Sequence, residues 1–337
     1  MANSASVAII GATGIVGRQM IEVLDQRQFP LSNLDLYASP RTAGEEMSCG
    51  ALNARVRLLD TARFADTDIV LVAAGEQVSA EWAARAAEEG ALVVDLSQLF
   101  IDDPEVPVIV PEINAAALQD VRNRGIVTSP DAIAVAATVI LQPLHQAAEV
   151  QRLVLTSFDP VSGAGRAGVD ELQQQTIGLM SGQSSGITVF PQRMAFNLIP
   201  QLGEILAGGS SRGEVVTATA IRRLLDEDIP MSVTRVYVPT FYGSGLAINV
   251  ETAQSMSAEE AHEALRSAPG LLLTEVLDTE SYPTPADAIG EDAIHVGRIR
   301  SHSELNVVDL WAAMDSTRKG SAVNAVQIAE ILLRDYF

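Results

Sequence analysis

Apolar residues along the first 130 positions come in short unbroken blocks, separated by glycine turns and by stretches with helical periodicity. Residues 7–10, VAII, run into glycines at 11, 14 and 17 and then into GRQMIEVLDQ, which predicts a buried strand, a tight turn and a helix start. DIVLVAAG at 68–75 predicts a buried parallel strand, EWAARAAEEG at 81–90 a helix closed by Gly90, and ALVVDLS at 91–97 the next strand. A short strand is expected around residues 34–38, and PVIVPEIN at 107–114 and GIVTSP at 125–130 add further short apolar strands. This alternation of strand and helix predicts a doubly wound α/β sheet, which gathers ligands at the carboxyl ends of its strands.

Beyond residue 150 the blocks lengthen. RLVLTSFDPVSGAG at 152–165, EVVTATAIRRLL at 214–225, VTRVYVPTFYGSGLAINVET at 233–252 and AIHVGRIR at 293–300 are strand candidates separated by helical stretches, which predicts a second domain of α+β type. Their polar and apolar residues alternate poorly, so one sheet face is expected under helices and some surface under another subunit. The last segment, KGSAVNAVQIAEILLRDYF, predicts an amphipathic helix with Ala325, Ile328, Leu332 and Leu333 on one side.

Composition narrows the function classes. With 337 residues, 47% of them apolar, the chain can bury cores for two domains. Its 43 acidic against 22 basic residues give a formal charge of −21, which repels nucleic-acid phosphates and anionic membranes. The single cysteine, Cys49, can form neither an internal disulfide nor a cysteine-rich metal site. No apolar run reaches membrane-spanning length, and a soluble, cytoplasmic protein is expected.

The glycine turn is the first candidate site. A helix N-terminus presents unpaired N–H groups and the positive end of its dipole, so a dinucleotide pyrophosphate can sit there when Gly11, Gly14 and Gly17 leave the approach open. The strand around 34–38 ends without an acidic residue. A carboxylate there would hold the free ribose hydroxyls of NAD, whereas a hydroxyl and a guanidinium, here Ser39 and Arg41, suit the 2′-phosphate of NADP. The preferred cofactor is therefore NADP, with NAD the alternative.

GATGIVG at 11–17, ASPRTAG at 38–44, VPVIVPEIN at 106–114, VSGAGRAGVDEL at 161–172, FNLIP at 196–200, YPTPADAIG at 282–290, HVGRIR at 295–300 and RKGSAVNAVQIAE at 318–330 follow one another over nearly the whole chain. Together they resemble the aspartate-semialdehyde dehydrogenase family, and more closely its Usg-type paralogues. The resemblance implies an N-terminal Rossmann domain over 1–131, completed by a C-terminal helix at 318–337, and an α+β substrate and dimerisation domain over 132–317. It also implies a homodimer. Cofactor contacts are implied at Gly11, Thr13, Gly14, Ile15, Val16, Ser39, Arg41, Gly165 and Gln327.

In that family a cysteine thiolate attacks the aldehyde, hydride leaves to NADP, and phosphate releases the thioester as an acyl phosphate, so a nucleophile, a base and anion anchors are all needed. This chain departs at each. The position of the family cysteine, in segments like NPNCST, is Ala132; that of the family histidine base is Ser244. The arginine that holds the substrate carboxylate corresponds to Tyr237 and the phosphate arginine to Ile101. A family glutamate corresponds to Ala220 and a glutamine to Asp159. No catalytic residue is therefore expected. Two functions remain: a catalytically silent homologue that binds a nucleotide, a small molecule or a protein, and an NADP-dependent aldehyde oxidoreductase with altered chemistry.

Overall fold

The structure is a computed structural model that describes residues 4–183, 186–225, 228–274 and 281–337. In chain order the first part holds strand β1 (Ala5–Ile10), helix α1 (Ile15–Gln26), strands β2 (Leu31–Ala38), β3 (Glu46–Cys49), β4 (Leu52–Arg55), β5 (Arg57–Leu58) and β6 (Ile69–Val72), helix α2 (Glu76–Glu88), strand β7 (Leu92–Asp95), the short helix α3 (Pro111–Asn114) and strand β8 (Ile126–Thr128). Then come α4 (Ala132–Ala148), β9 (Val150–Asp159), α5 (Gly165–Met180), α6 (Arg212–Leu224), β10 (Met231–Tyr237), β11 (Ser244–Thr252), α7 (Ala258–Arg266), β12 (Leu271–Leu273), β13 (Ile294–His302), β14 (Val307–Met314) and α8 (Asn324–Tyr336). Two compact units result, one of Met1–Asp131 with Ser321–Phe337, the other of Ala132–Gly320.

In the first unit six parallel strands lie in the order β5-β2-β1-β6-β7-β8. β1 is buried along its whole length because successive side chains enter different cores. Val7 and Ile9 pack with Met20, Val23 and Leu24 of α1 and with Ala325, Ile328, Leu332 and Leu333 of α8. Ala8 and Ile10 pack with Phe64 and with Trp82, Ala83 and Ala86 around α2. Its neighbours β2 and β6 follow it in opposite directions along the sheet, so β1 marks the switch point where such sheets open a cleft. The apolar block at 107–110 is not a full strand of this sheet, contrary to its sequence pattern. Only Val108 bridges to Thr128, and the chain then turns into α3 with Pro111 in its first turn.

The second unit holds a mixed sheet in the order β10-β9-β11-β14-β13-β12. In β11 Ser244, Leu246, Ile248 and Val250 are buried while Ala247 is exposed, so one face carries the core. Helix α4, apolar nearly all round, is part of that core. The expected strand at 214–225 is instead the body of α6. Its β-branched run, VVT, favours extended backbone, but a capping box between Ser211 and Glu214 starts a helix, and Val216, Thr217, Ala220, Ile221 and Leu224 then fall on one buried side. The single block at 233–252 is two strands that are not neighbours, because β9 lies between β10 and β11. Among the described residues no helix is long and apolar enough to cross a membrane.

Candidate functional site

The turn after β1 is built by close backbone approach. Gly11 has φ +84°, and a Cβ there would come within 2.4 Å of the Ala73 carbonyl oxygen. A Cβ on Gly17 would lie 2.2 Å from the Gly11 oxygen, so α1 is pressed onto the turn. Gly14 precedes α1 in extended backbone with no side chain over the helix end. Gly14, the residue before α1, lines a cleft of about 480 Å³, a size suited to a nucleotide, whereas Ile15 and Val16 fall outside the lining. Gly11, Thr13, Gly14 and Ser39 line it together with Ala73, Val78 and Trp82.

The remaining sequence-level candidates fall in different places. Arg41 lies on the exposed loop after β2, beyond the cleft lining. Gln327, on α8, donates to Glu112 Oε1 at 2.9 Å. Gly165 belongs to the second unit, where it starts α5 with φ +73° and open space where a Cβ would be. The last acid along β2 is Asp35, three residues before Ala38, and it pairs with Arg57 at 3.1 Å. β2 itself thus ends without the carboxylate that would select NAD ribose hydroxyls, while Asp60, which follows β5, lines the same cleft. Two features of this unit were not legible in the sequence: Trp82 as a cleft wall, and a hydroxyl contact between Thr13 and Thr42 at 2.7 Å. Trp82 could have been suspected only as a core aromatic, and nothing in the sequence pairs the two threonines.

At the end of β7, Asp95 is fully buried and accepts from Ser79, from the Ser97 hydroxyl at 2.8 Å and from the Ser97 amide at 3.2 Å. Burial outweighs those donors and pushes its carboxyl from 3.8 up to about 6. The folded state then holds this proton at higher pH than the unfolded chain does, so the group's contribution to stability falls as pH rises through about 4 to 6 and is level above that. Two pKa units correspond to about 3 kcal/mol. Asp95→Asn should therefore gain about that much relative to the unmutated protein between pH 4 and pH 7, read from urea midpoints. A constant difference across that range would refute the assignment.

The second unit holds most of the positions that the sequence resemblance matches to family catalytic groups. Ala132 opens α4, and Gly320 approaches so closely that a Cβ on it would be 2.4 Å from the Ala132 methyl. Ser244, the first residue of β11, is fully buried, and its hydroxyl makes no hydrogen bond. Tyr237 ends β10 with its ring edge-on to Phe190, centroids 5.1 Å apart, and burial followed by the Asp159 charge raises its pKa, keeping it a neutral phenol. Asp159 ends β9 and takes two bonds from Arg235, 2.6 Å to Nη2 and 3.3 Å to Nε; Ser157 donates to the same carboxylate and Arg235 also donates to Thr217 at 3.0 Å. The guanidinium beside Tyr237 is thus neutralised within the protein. Ala220 is fully buried on α6, and in the first unit Ile101 is a core residue.

Among the described residues no replacement nucleophile or base stands out. Cys49 is buried at the end of β3 with its thiol 3.6 Å from the Ile21 carbonyl, and burial, with Asp25 adding to it, pushes the thiol up to about 11. Ser129 Oγ accepts from the Asn324 amide at 2.8 Å, and an amide is no proton acceptor for a nucleophile. His145 accepts from the Val150 amide at 3.1 Å, His302 meets Asp309 at 3.0 Å, and His262 and His295 each bury an unbonded Nε2. Among the described residues no group of three or more His, Cys, Asp and Glu could hold a metal.

Comparison with known proteins fits both units. Residues 6–121 match the family described as semialdehyde dehydrogenase, NAD binding domain, and residues 141–319 match semialdehyde dehydrogenase, dimerisation domain. The chain is 38% identical to aspartate-semialdehyde dehydrogenase 2 of Vibrio cholerae over 340 residues, covering 100% of both chains. The crystal structure of aspartate semialdehyde dehydrogenase II complexed with ASA from Vibrio cholerae superposes with a TM-score of 0.96 at 38% identity, over 99% of each chain. The structure of a probable aspartate-semialdehyde dehydrogenase from Pseudomonas aeruginosa gives 0.93 at 33% identity, over 99% of this chain and 100% of that one. A Rossmann-type dinucleotide-binding unit and a dimerisation unit, matched in this order and over this length, place the chain in the aspartate-semialdehyde dehydrogenase family.

Proposed function

We propose that this protein is a catalytically silent, Usg-type member of the family that binds NADP and assembles as a homodimer in the cytoplasm. The observation that carries the reading is Ala132, a methyl group where the family reaction forms a covalent bond, packed against Gly320. We assign dinucleotide binding to residues 1–131 with the C-terminal helix, and assembly to the domain that follows. Gly11, Thr13, Gly14, Ile15 and Val16 hold the pyrophosphate, Ser39 and Arg41 take the 2′-phosphate, and Gly165 and Gln327 complete the cofactor contacts. Gly11 supports this fit, because its bare Cα lets turn and strand close to a distance no side chain permits. When bound, NADP supplies a hydride acceptor. A chain without a thiol at 132 gives that acceptor no thiohemiacetal to oxidise.

Calorimetric titration tests the cofactor assignment. NADP should bind more tightly than NAD, and Arg41→Ala should abolish the difference, since a charge-assisted contact to phosphate contributes about 1.5–3 kcal/mol. Equal affinities in the unmutated protein would rule the preference out. Sedimentation equilibrium should give twice the chain mass at micromolar concentration, and a monomer there would rule out the homodimer.

A second reading has its own support: relatives 35–38% identical over the full length are named aspartate-semialdehyde dehydrogenase. On that reading the protein is an active NADP-dependent oxidoreductase acting on an aldehyde through altered groups.

A further inference from the structure

We infer that Thr42 is a positioning residue for the 2′-phosphate of the cofactor, and that its bond to Thr13 is what lets Ser39 and Arg41 discriminate NADP from NAD. The inference rests on the NADP reading above and adds to it the device that holds the discriminating loop in place.

The loop leaves β2 at Ala38, Ser39 lines the cleft with the glycine turn, and Arg41 follows two residues on, outside the lining. Backbone bonds between Gly44 and Val56 and between Val56 and Glu45, 2.8 Å each, hold its far end. The Ser39 carbonyl accepts from the Thr42 and Ala43 amides at 3.2 Å each, while Ser39, Pro40 and Arg41 are all exposed. The turn is tied to β2 by the Gly11 and Ala12 amides, which donate to the Tyr37 carbonyl at 2.9 and 3.1 Å, and two side-chain contacts then join it to the loop and the residues after it. Thr13 and Thr42 share a hydroxyl–hydroxyl bond of 2.7 Å, partly buried. Arg18 donates through Nε to the Thr13 carbonyl at 3.1 Å and pairs through Nη2 with Glu45 at 2.6 Å, but both side chains of that pair are largely exposed. Solvent and salt screen an exposed pair, so the threonine bond is the firmer of the two straps.

Both straps converge on Thr13, whose own side chain lines the cleft. A cofactor that orders the turn therefore meets a phosphate loop already tied to it. Without the tie, the loop and the long Arg41 side chain must be ordered at the moment of binding, and that entropy cost falls on the ligand that uses them. NAD has no 2′-phosphate and does not use them. Loss of the Thr42 hydroxyl should therefore weaken NADP selectively.

Thr42→Val keeps the shape and removes the hydroxyl. Calorimetric titration with NADP and with NAD should show NADP affinity falling about five- to tenfold while NAD changes less than about twofold. Thr42→Ser, which restores the hydroxyl, should recover the preference. Glu45→Gln tests the second strap and should produce a smaller, salt-sensitive loss of the same sign. An equal fall for both cofactors in Thr42→Val would mean a merely structural role and overturn the inference. So would an unchanged ratio, or failure of Thr42→Ser to rescue it. Equal affinities in the unmutated protein would overturn the NADP reading together with this inference, whereas a preference that survives Thr42→Val would overturn the inference alone.

Discussion

Assayed with aspartate semialdehyde, phosphate and NADP, the purified protein should form no NADPH at ordinary enzyme rates, and Ala132→Cys alone should not revive it. Catalytic groups act as a unit: in a hydrolase triad, loss of the nucleophile or its base costs on the order of 10⁶ in turnover, and further losses then add little, so a single repair recovers little. A thiol at 132 would gain the start of α4, whose dipole favours a thiolate. It would still lack a histidine at 244, where a buried serine hydroxyl stands without a hydrogen bond. Carboxylate recognition would also be absent. Tyr237 is a neutral phenol packed on Phe190, and Arg235 is held by Asp159, so neither offers the free guanidinium a substrate carboxylate requires. Ile101, which the resemblance matches to the phosphate arginine, is a core residue. Turnover by the unmutated protein would overturn the silent reading in favour of an altered oxidoreductase. Turnover by Ala132→Cys alone would show that the other substitutions had left a working site.

Breaking the Asp159–Arg235 pair should destabilise the protein by about 3–5 kcal/mol, because each single substitution removes one side of a buried, charge-assisted pair. The side chains are only 6% and 10% exposed, so water cannot replace the lost partner. Asp159→Gln, which introduces the residue type that the resemblance implies here, is the informative variant. It leaves Arg235 with Thr217 and a neutral amide in place of two charge-assisted bonds. Urea midpoints should fall sharply for Asp159→Gln and for Arg235→Met, while the double variant should lose much less than their sum, since the two residues stabilise each other. Additive losses would show that the two residues are not coupled, and the account of how Asp159 neutralises the Arg235 guanidinium would fail.

Much of the first unit was legible in the amino-acid sequence. Its signals are local: an unbroken apolar block for β1, glycines at 11, 14 and 17 for the turn, and a helical stripe of Ala325, Ile328, Leu332 and Leu333 for α8. The candidate cofactor residues Gly11, Thr13, Gly14 and Ser39 meet in one cleft because strand ends at a switch point converge there. The second unit was read less well. Residues 214–225 carry a β-branched run whose preference for strand was overridden by the Ser211–Glu214 capping box and by burial of one helical side.

The sequence by itself determined the class of fold and the glycine cradle, because each is written in neighbouring residues or in ordered motifs. Tertiary structure alone decided what surrounds Ala132, Tyr237 and Ser244. Asp159 meets Arg235 across 76 positions because β9 and β10 pair in parallel, and Thr13 meets Thr42 across 29 because β1 and β2 do. The burial that gives Asp95 its raised pKa likewise comes from helices and strands packed around it. Periodicity along a chain reports which side of an element is apolar, whereas the identity of the partner across the gap depends on strand order and register, which local sequence does not specify.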